Sequence, residues 1–387
     1  MTYLNIPAAV LVEKGALHTA EEIANQPALW QQTCDKFYDE SAGIREFFMH
    51  ALRQSAQIIL TGAGPSAFVG PSLQGPFISR TQKITRAVAT TDLVSHPKHY
   101  FSKDQTPVII SFARSGKSPE SCAALELADQ FCKQCFHLII TCNADGALAQ
   151  YESPNPVHVF VLPPDANDKG LAMTGSYTSM LLTALLLIWS DEEEFCQSQV
   201  RLLRNIAEKI LSRDTAKIRQ MAEKNFQRAV FLGSGPLSGT ATEAALKLQE
   251  LTDGQIICKA DSYLGFRHGP RAVINNATLV VYFFSNDPYV ILYETDMLKA
   301  IKTANSAPFH LAITEKPADL AGLEDQVVLS DAGASLHEHF LPVCNILPAQ
   351  LLAFFKSMSL GLTPDAPSVS GAISRVVEGV TIYPIVA

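Results

Sequence analysis

Two stretches of the chain repeat one another, and that repeat restricts the fold more than any other feature. Gln57-Ile-Ile-Leu-Thr-Gly-Ala-Gly-Pro65 resembles Arg228-Ala-Val-Phe-Leu-Gly-Ser-Gly-Pro236, an offset of 171 residues from Gly62 to Gly233. Each is an apolar run that ends in Gly-x-Gly-Pro, the pattern of a buried strand turning into a helix N-terminus. Two further apolar runs follow each of them. Val108 to Ser111 pairs with Leu279 to Phe284, and Leu138 to Cys142 pairs with His310 to Thr314. Helical patterns such as Ser118 to Cys135 and Val290 to Ala304 lie between the runs. Such alternation predicts parallel sheets flanked by helices on both faces, and its recurrence predicts two tandem α/β domains.

The chain has 387 residues, enough for two cores of ordinary size. The expected partition is a helical lead-in over 1–45, a first domain over 46–205, a second over 206–362 and a tail over 363–387. Glu13 to Arg53 reads as helical, and the charged stretch Ser190 to Glu223 reads as a helical bridge. Hydrophobic residues make up 47% and charged residues 18%, a globular balance. The formal net charge of -8 argues against a nucleic-acid binder, which needs a basic face. It leaves room for one phosphorylated metabolite, which a few local donors can hold.

The first fifteen residues lack the basic start and apolar core of a signal peptide. The longest apolar run, Met180 to Trp189, is short of a membrane span and reads as a buried helix. No membrane partner is expected. Eight cysteines without a secretion signal predict reduced thiols in the cytoplasm. Cys132 and Cys135 form a C-x-x-C pair within a helical stretch, Glu120 to Cys135, with no second pair to complete a zinc site. Core or surface cysteine is the preferred reading. No histidine and carboxylate cluster has metal spacing, so neither metal nor cofactor is expected.

The loops after the first two strands carry the anion-binding chemistry. The first supplies Gly62, Gly64 and Ser66, the second Arg114, Ser115, Gly116 and Ser118. Both follow parallel strands at their carboxyl ends, where open α/β sheets collect ligands. Small residues admit backbone N–H groups to an anion, and a helix N-terminus adds its dipole. Gly116-Lys117-Ser118 resembles the end of a P-loop, but that motif needs glycine where Ser111 stands. Gly62-Ala-Gly64-Pro-Ser-Ala67 satisfies G-x-G-x-x-G/A with Asp92 downstream, so a dinucleotide enzyme stays open as an alternative. Either loop taken alone reads equally well as a tight connection.

Thr240 to Thr252 reads as a helix on which Glu243, Lys247 and Glu250 share one face. Spacing alone favours an ordinary solvated Glu–Lys row. His268 stands between Arg267 and Gly269-Pro270, displayed on a loop. An imidazole near a carboxylate suits sugar ring opening and proton transfer between C1 and C2. No Gly-x-Ser-x-Gly elbow marks a serine hydrolase.

Together these motifs resemble the sugar isomerase (SIS) domain, present twice. The nearest likeness is to the AgaS-type galactosamine-6-phosphate deaminase/isomerases, also called tagatose-6-phosphate ketose/aldose isomerases. Ser111-Phe-Ala-Arg-Ser-Gly-Lys-Ser-Pro-Glu-Ser121, Thr90-Thr-Asp-Leu-Val94 and the tail from Thr363-Pro-Asp-Ala-Pro to Arg375-Val-Val-Glu-Gly carry that likeness. The isomerase half of glucosamine-6-phosphate synthase is more distant. The resemblance implies phosphate binding by Ser66, Ser115 and Ser118, proton transfer between C1 and C2 by Glu250, and ring opening by His268. Glu243 and Lys247 complete the helix face. It also implies a homodimer or higher homo-oligomer in which His268 reaches a neighbouring subunit's site. The substrate expected is a sugar phosphate: galactosamine 6-phosphate would give tagatose 6-phosphate and ammonia. Isomerisation without deamination and a non-catalytic sensor are the other readings. Ala113 replaces a phosphate-binding serine of the synthase, Arg114 replaces its glutamine, and Arg375 is the nearest cation to its tail lysine. No glutaminase domain precedes the lead-in, so glutamine-dependent synthesis is not expected.

Overall fold

The computed structural model describes residues 1–303, 308–317, 320, 322–323, 325–330, 335–376 and 379–385. Two compact units emerge, each built on one five-stranded parallel sheet. One unit comprises Leu29–Asp168, Gly175–Gln197 and Ser374–Ala387; the other comprises Met1–Ala28, Lys169–Thr174 and Ser198–Ile373.

The first unit's sheet contains β1 (Gln57–Gly62), β2 (Ile84–Ala87), β3 (Pro107–Ala113), β4 (Phe136–Thr141) and β5 (Val157–Val161), ordered β2-β1-β3-β4-β5. The second contains β6 (Arg228–Leu232), β7 (Ile257–Asp261), β8 (Thr278–Phe283), β9 (Phe309–Thr314) and β10 (Gln326–Val328), ordered β7-β6-β8-β9-β10. The two orders are the same, and all pairings within both sheets are parallel. Every residue of β1, β3, β4 and β8 is buried, as strands covered on both faces require. The apolar runs read from sequence are these four strands together with β6 and β9. Edge strands β2 and β7 leave no such mark, because Ile-Thr-Arg-Ala and Ile-Cys-Lys-Ala-Asp mix polar with apolar residues.

The repeated glycines have the same two duties in each unit. A Cβ on Gly62 would lie 2.6 Å from the Ser66 carbonyl carbon, and one on Gly233 would lie 2.3 Å from the Leu237 oxygen. Gly64 and Gly235 both take φ +54, a left-handed conformation that costs glycine little. The first glycine therefore lets the helix press against its strand, and the second turns the chain into that helix.

Helices differ from expectation in where they end and break. The stretch expected to run to Cys135 stops at Phe131; Cys132 is its extended C-cap. The chain turns there so that Cys135 N–H can donate to Asn155 Oδ1 before β4 begins. Both cysteines are buried, so they are core residues. The bridge contains Glu193–Lys209, a π turn over Ile210–Asp214 and Thr215–Ala222. The lead-in folds as Ala8–Glu13, Leu17–Asp39 and Ser41–Gln54. Gly175–Ile188, which holds most of the apolar run from Met180, is buried along its length. Among the described residues one helix, Glu338–Ser359, is long and apolar enough to cross a membrane by composition, and its apolar stretch is wholly buried.

Asp365 ties the tail to the helical lead-in within one unit. Its carboxylate accepts from Thr19 N–H and Oγ1, both at 2.8 Å, and from His18 N–H at 3.1 Å. It thus serves as an N-cap for the Leu17–Asp39 helix, and its own amide donates to the Gly15 carbonyl. We expect Asp365→Ala to lower stability by about 1–2 kcal/mol in urea titration, the usual cost of losing such a cap.

Candidate functional site

In the first unit, strand order reverses between β1 and β3, which opens a crevice at their carboxyl ends. Both candidate anion loops lie there. The Pro65–Thr81 helix starts after Gly64 without a side-chain cap, with Ser66 3% exposed in its first turn. Thr90 Oγ1 donates to the Gly62 carbonyl at 3.2 Å, giving the Thr90-Thr-Asp-Leu-Val94 motif a supporting role. After β3, Arg114 is buried, while Ser115 and Ser118 are half-buried. The Ser115 carbonyl accepts from Asn143 Nδ2 at 2.8 Å, and the Gly116 carbonyl accepts from Leu148 N–H at 2.9 Å. Gly146 permits that backing, since a Cβ there would come within 2.6 Å of the Ser115 oxygen. Ser118 begins the Pro119–Phe131 helix but makes no cap hydrogen bond. Two uncapped helix N-termini and three serines therefore share one sheet edge, an arrangement suited to a phosphate dianion.

At the corresponding edge of the second unit, the protein's own carboxylates take up donors of the β8 and β9 loops, while the Leu237–Leu251 helix starts without a side-chain cap. Leu237 stands where the first unit has Ser66. Asp287 caps the Pro288–Lys302 helix, accepting from Tyr289 N–H at 2.7 Å and Val290 N–H at 3.2 Å. Glu294 accepts from Ser285 N–H at 2.9 Å, and burial pushes its carboxyl up to about 8. Glu315 accepts from Leu336 N–H, Asn286 Nδ2 and Ser335 Oγ. An added anion there would meet three acids.

That unit carries the acid–base candidates instead. The Leu237–Leu251 helix puts Lys247 Nζ 2.5 Å from Glu250 Oε2 and 3.4 Å from Glu243 Oε1. Glu243 and Lys247 are fully buried, and the Glu250 side chain is 19% exposed. The solvated row favoured by spacing is therefore corrected: this face is interior, and only its last carboxylate reaches out. Packing of this helix against Leu341–Ser359 buries the row, and no local pattern encodes that partner. Tail residue Val369 donates its N–H to Asp253 Oδ2 at 3.2 Å, just beyond the Glu250 turn.

His268 is exposed, as expected of a displayed loop residue. Tyr263 and Phe266 anchor the loop in the core, and Tyr263 OH donates to the Phe283 carbonyl at 3.1 Å. Gly269 at φ +113 turns the chain immediately after it. The dinucleotide alternative loses support, because β2 ends at Ala87 and Asp92 lies in the next helix's first turn.

One further constellation among the described residues is not visible in sequence spacing. Asp129, Cys135 and His137 bring one potential metal ligand each within 4.8 Å. They are already joined by hydrogen bonds, with His137 Nε2 2.7 Å and Cys135 Sγ 3.2 Å from Asp129 Oδ1. Tyr151 OH and Ser153 Oγ donate to Oδ2, each at 2.7 Å. Burial alone would raise the Asp129 carboxyl, but donation from His137, Tyr151 and Ser153 outweighs it and holds the group below the usual range. Burial pushes the Cys135 thiol well up, which keeps it protonated. The cluster is a donor cage that answers both oxygens of one carboxylate.

Removing the buried cation tests the ion-pair reading. We expect Lys247→Met to cost about 3–5 kcal/mol by urea titration, because Glu243 is left buried without its ammonium. The double variant Glu243→Gln/Lys247→Met should recover most of that loss.

The SIS domain profile matches residues 51–190, which contain β1 to β5. The D-galactosamine-6-phosphate deaminase AgaS of Shewanella sp. is 38% identical over 388 residues, covering 99% of this chain and 96% of that protein. The protein of the same name from Escherichia coli O157:H7 is 38% identical, with 95% of each chain covered. The crystal structure of tagatose-6-phosphate ketose/aldose isomerase from Escherichia coli superposes with a TM-score of 0.87 at 34% identity, covering 99% of this chain and 100% of that one. The second sheet repeats the strand order of the first, so the fold is two SIS-type α/β domains in tandem. Identity of this extent over nearly the full length places the chain in the AgaS family of SIS-domain enzymes.

Proposed function

We propose that the chain is an amino-sugar 6-phosphate deaminase/isomerase converting galactosamine 6-phosphate and water to tagatose 6-phosphate and ammonia. The observation that carries this reading is the Glu243–Lys247–Glu250 row. Its inner two members are buried, and its outer carboxylate is held by an ammonium at 2.5 Å. Such a carboxylate is oriented for proton transfer and not merely solvated. The AgaS relatives support the amino-sugar class.

Ser66, Ser115, Ser118 and the two uncapped helix N-termini hold the 6-phosphate. His268 assists opening of the ring to the aldehyde. Glu250 then takes the C2 proton and returns it at C1. One amine proton is lost and O1 gains one, so C1 becomes a hydroxymethyl group and C2 a ketimine, whose hydrolysis releases ammonia and leaves the ketone. Lys247 orients Glu250 and balances its charge, while Glu243 balances Lys247 from beneath. The exposed position of His268 suits a loop offered to a neighbouring copy, and we assign the working state to a homo-oligomer. Eight free cysteines fit a reducing compartment such as the cytoplasm.

With a hydroxyl at C2 the same proton transfer is simple isomerisation, the activity for which the similar Escherichia coli isomerase is named. Product analysis separates the two. Galactosamine 6-phosphate should yield ammonia and tagatose 6-phosphate in equal amounts. Glu250→Gln should lose a factor of about 10²–10⁴ in turnover while substrate still raises the melting temperature. Conversion of galactose 6-phosphate without ammonia release from the amine would establish the isomerase instead. Stabilisation by substrate with no product from the unaltered protein would establish a sensor.

A further inference from the structure

Arg375 is the one tail cation whose sequence position suggests no role, and its contacts give it one. It belongs to the same unit as β1 to β5. Its guanidinium donates from Nε to the Asp168 carbonyl and from Nη2 to Asn167 Oδ1, each at 2.8 Å, with a further bond from Nη2 to the Asp168 carbonyl. Asn167 and Asp168 follow β5 and the short turn Pro164–Ala166, at the carboxyl edge of the sheet. The Asp168 carboxylate is itself immobilised, accepting from Gly175 N–H and Ser176 N–H at 3.0 Å each. The anchor for the tail is therefore rigid.

The return contact falls on the phosphate crevice. Arg114 Nη2 donates to the Arg375 carbonyl at 2.5 Å, and Arg114 immediately precedes Ser115. Burial pushes the Cys142 thiol up, while Arg114 and Arg375 each pull it down, so both charges lie close to the end of β4. A guanidinium fork can keep one N–H on a carbonyl and still offer others to an oxyanion.

We propose that Arg375 is a positioning residue for the phosphate site. Its side chain pins the tail to Asn167 and Asp168, and its carbonyl then fixes Arg114 beside the Ser115–Ser118 loop. The inference rests on the reading that this crevice takes the 6-phosphate. It adds a dependence on the tail that neither loop motif contains, and it explains an arginine at position 375 by two spaced acceptors. A lysine ammonium would not span them in the same geometry.

The test measures KM and kcat for galactosamine 6-phosphate, together with competition by inorganic phosphate. The variants are R375A, R375K, R114A, R114A/R375A and S115A/S118A in the full chain. R375A should raise KM and the phosphate inhibition constant together by about tenfold, the size expected for a lost charge-assisted contact. Its kcat should change much less, and R375K should not restore KM. The double variant R114A/R375A should be no weaker than the worse single variant, because one residue acts through the other. An unchanged KM in R375A overturns the proposal, as do independent, multiplying effects of the two arginine substitutions. If S115A/S118A leaves KM and phosphate inhibition unaltered, the phosphate reading itself falls, a result separable from failure of Arg375 alone.

Discussion

A parallel sheet cannot be built by hairpins. Each strand must be followed by a crossover, and here the crossovers from the central strands bring helix N-termini to one edge. Those termini carry unsatisfied N–H groups and a positive dipole end, so something must answer them. In one unit Gly64 and Ser118 leave two of them without a side-chain cap. In the other, Asp287 answers those of the helix after β8, while the helix after β6 starts uncapped like its counterpart. Duplication thus supplied two frames with the same demand, and each unit met it differently. The second frame carries a buried ion-paired helix face and an exposed histidine.

Glu243, Lys247 and Glu250 show how little of an interior charge row depends on local pattern. A lysine beneath a carboxylate at i+3 is an ordinary surface pair when the helix is exposed. Once the same helix packs against Leu341–Ser359, the ammonium must be balanced where it stands, and the row becomes a single electrostatic unit. The orientation of Glu250 is then fixed by the two buried residues beneath it.

The central strands are legible because burial on both faces writes itself as unbroken apolar sequence, as in Val108–Ser111. The Gly-x-Gly-Pro turns are legible because each glycine answers a steric demand that other residues cannot meet. Edge strands β2 and β7 are not, since half of each faces solvent and the alternation is too short to register. Burial of Lys247 is hidden for another reason: it depends on a helix about a hundred residues away. The cage around Asp129 draws on residues from Cys135 to Asn155, with no spacing that marks them as one group.

Asp365 caps a helix whose capped amide, that of Thr19, lies 346 residues earlier in the chain. The helix therefore leaves the ribosome 346 residues ahead of its capping carboxylate. At about 5–20 residues per second the delay is roughly 20–70 s. Throughout that interval the Thr19 amide must be answered by water, so the lead-in gains its final stability only once Asp365 has emerged. A nascent chain stalled before Asp365 would therefore hold its sheets in sequence but lack the lock on its first long helix, and quality-control proteases would meet that helix end still open to fraying.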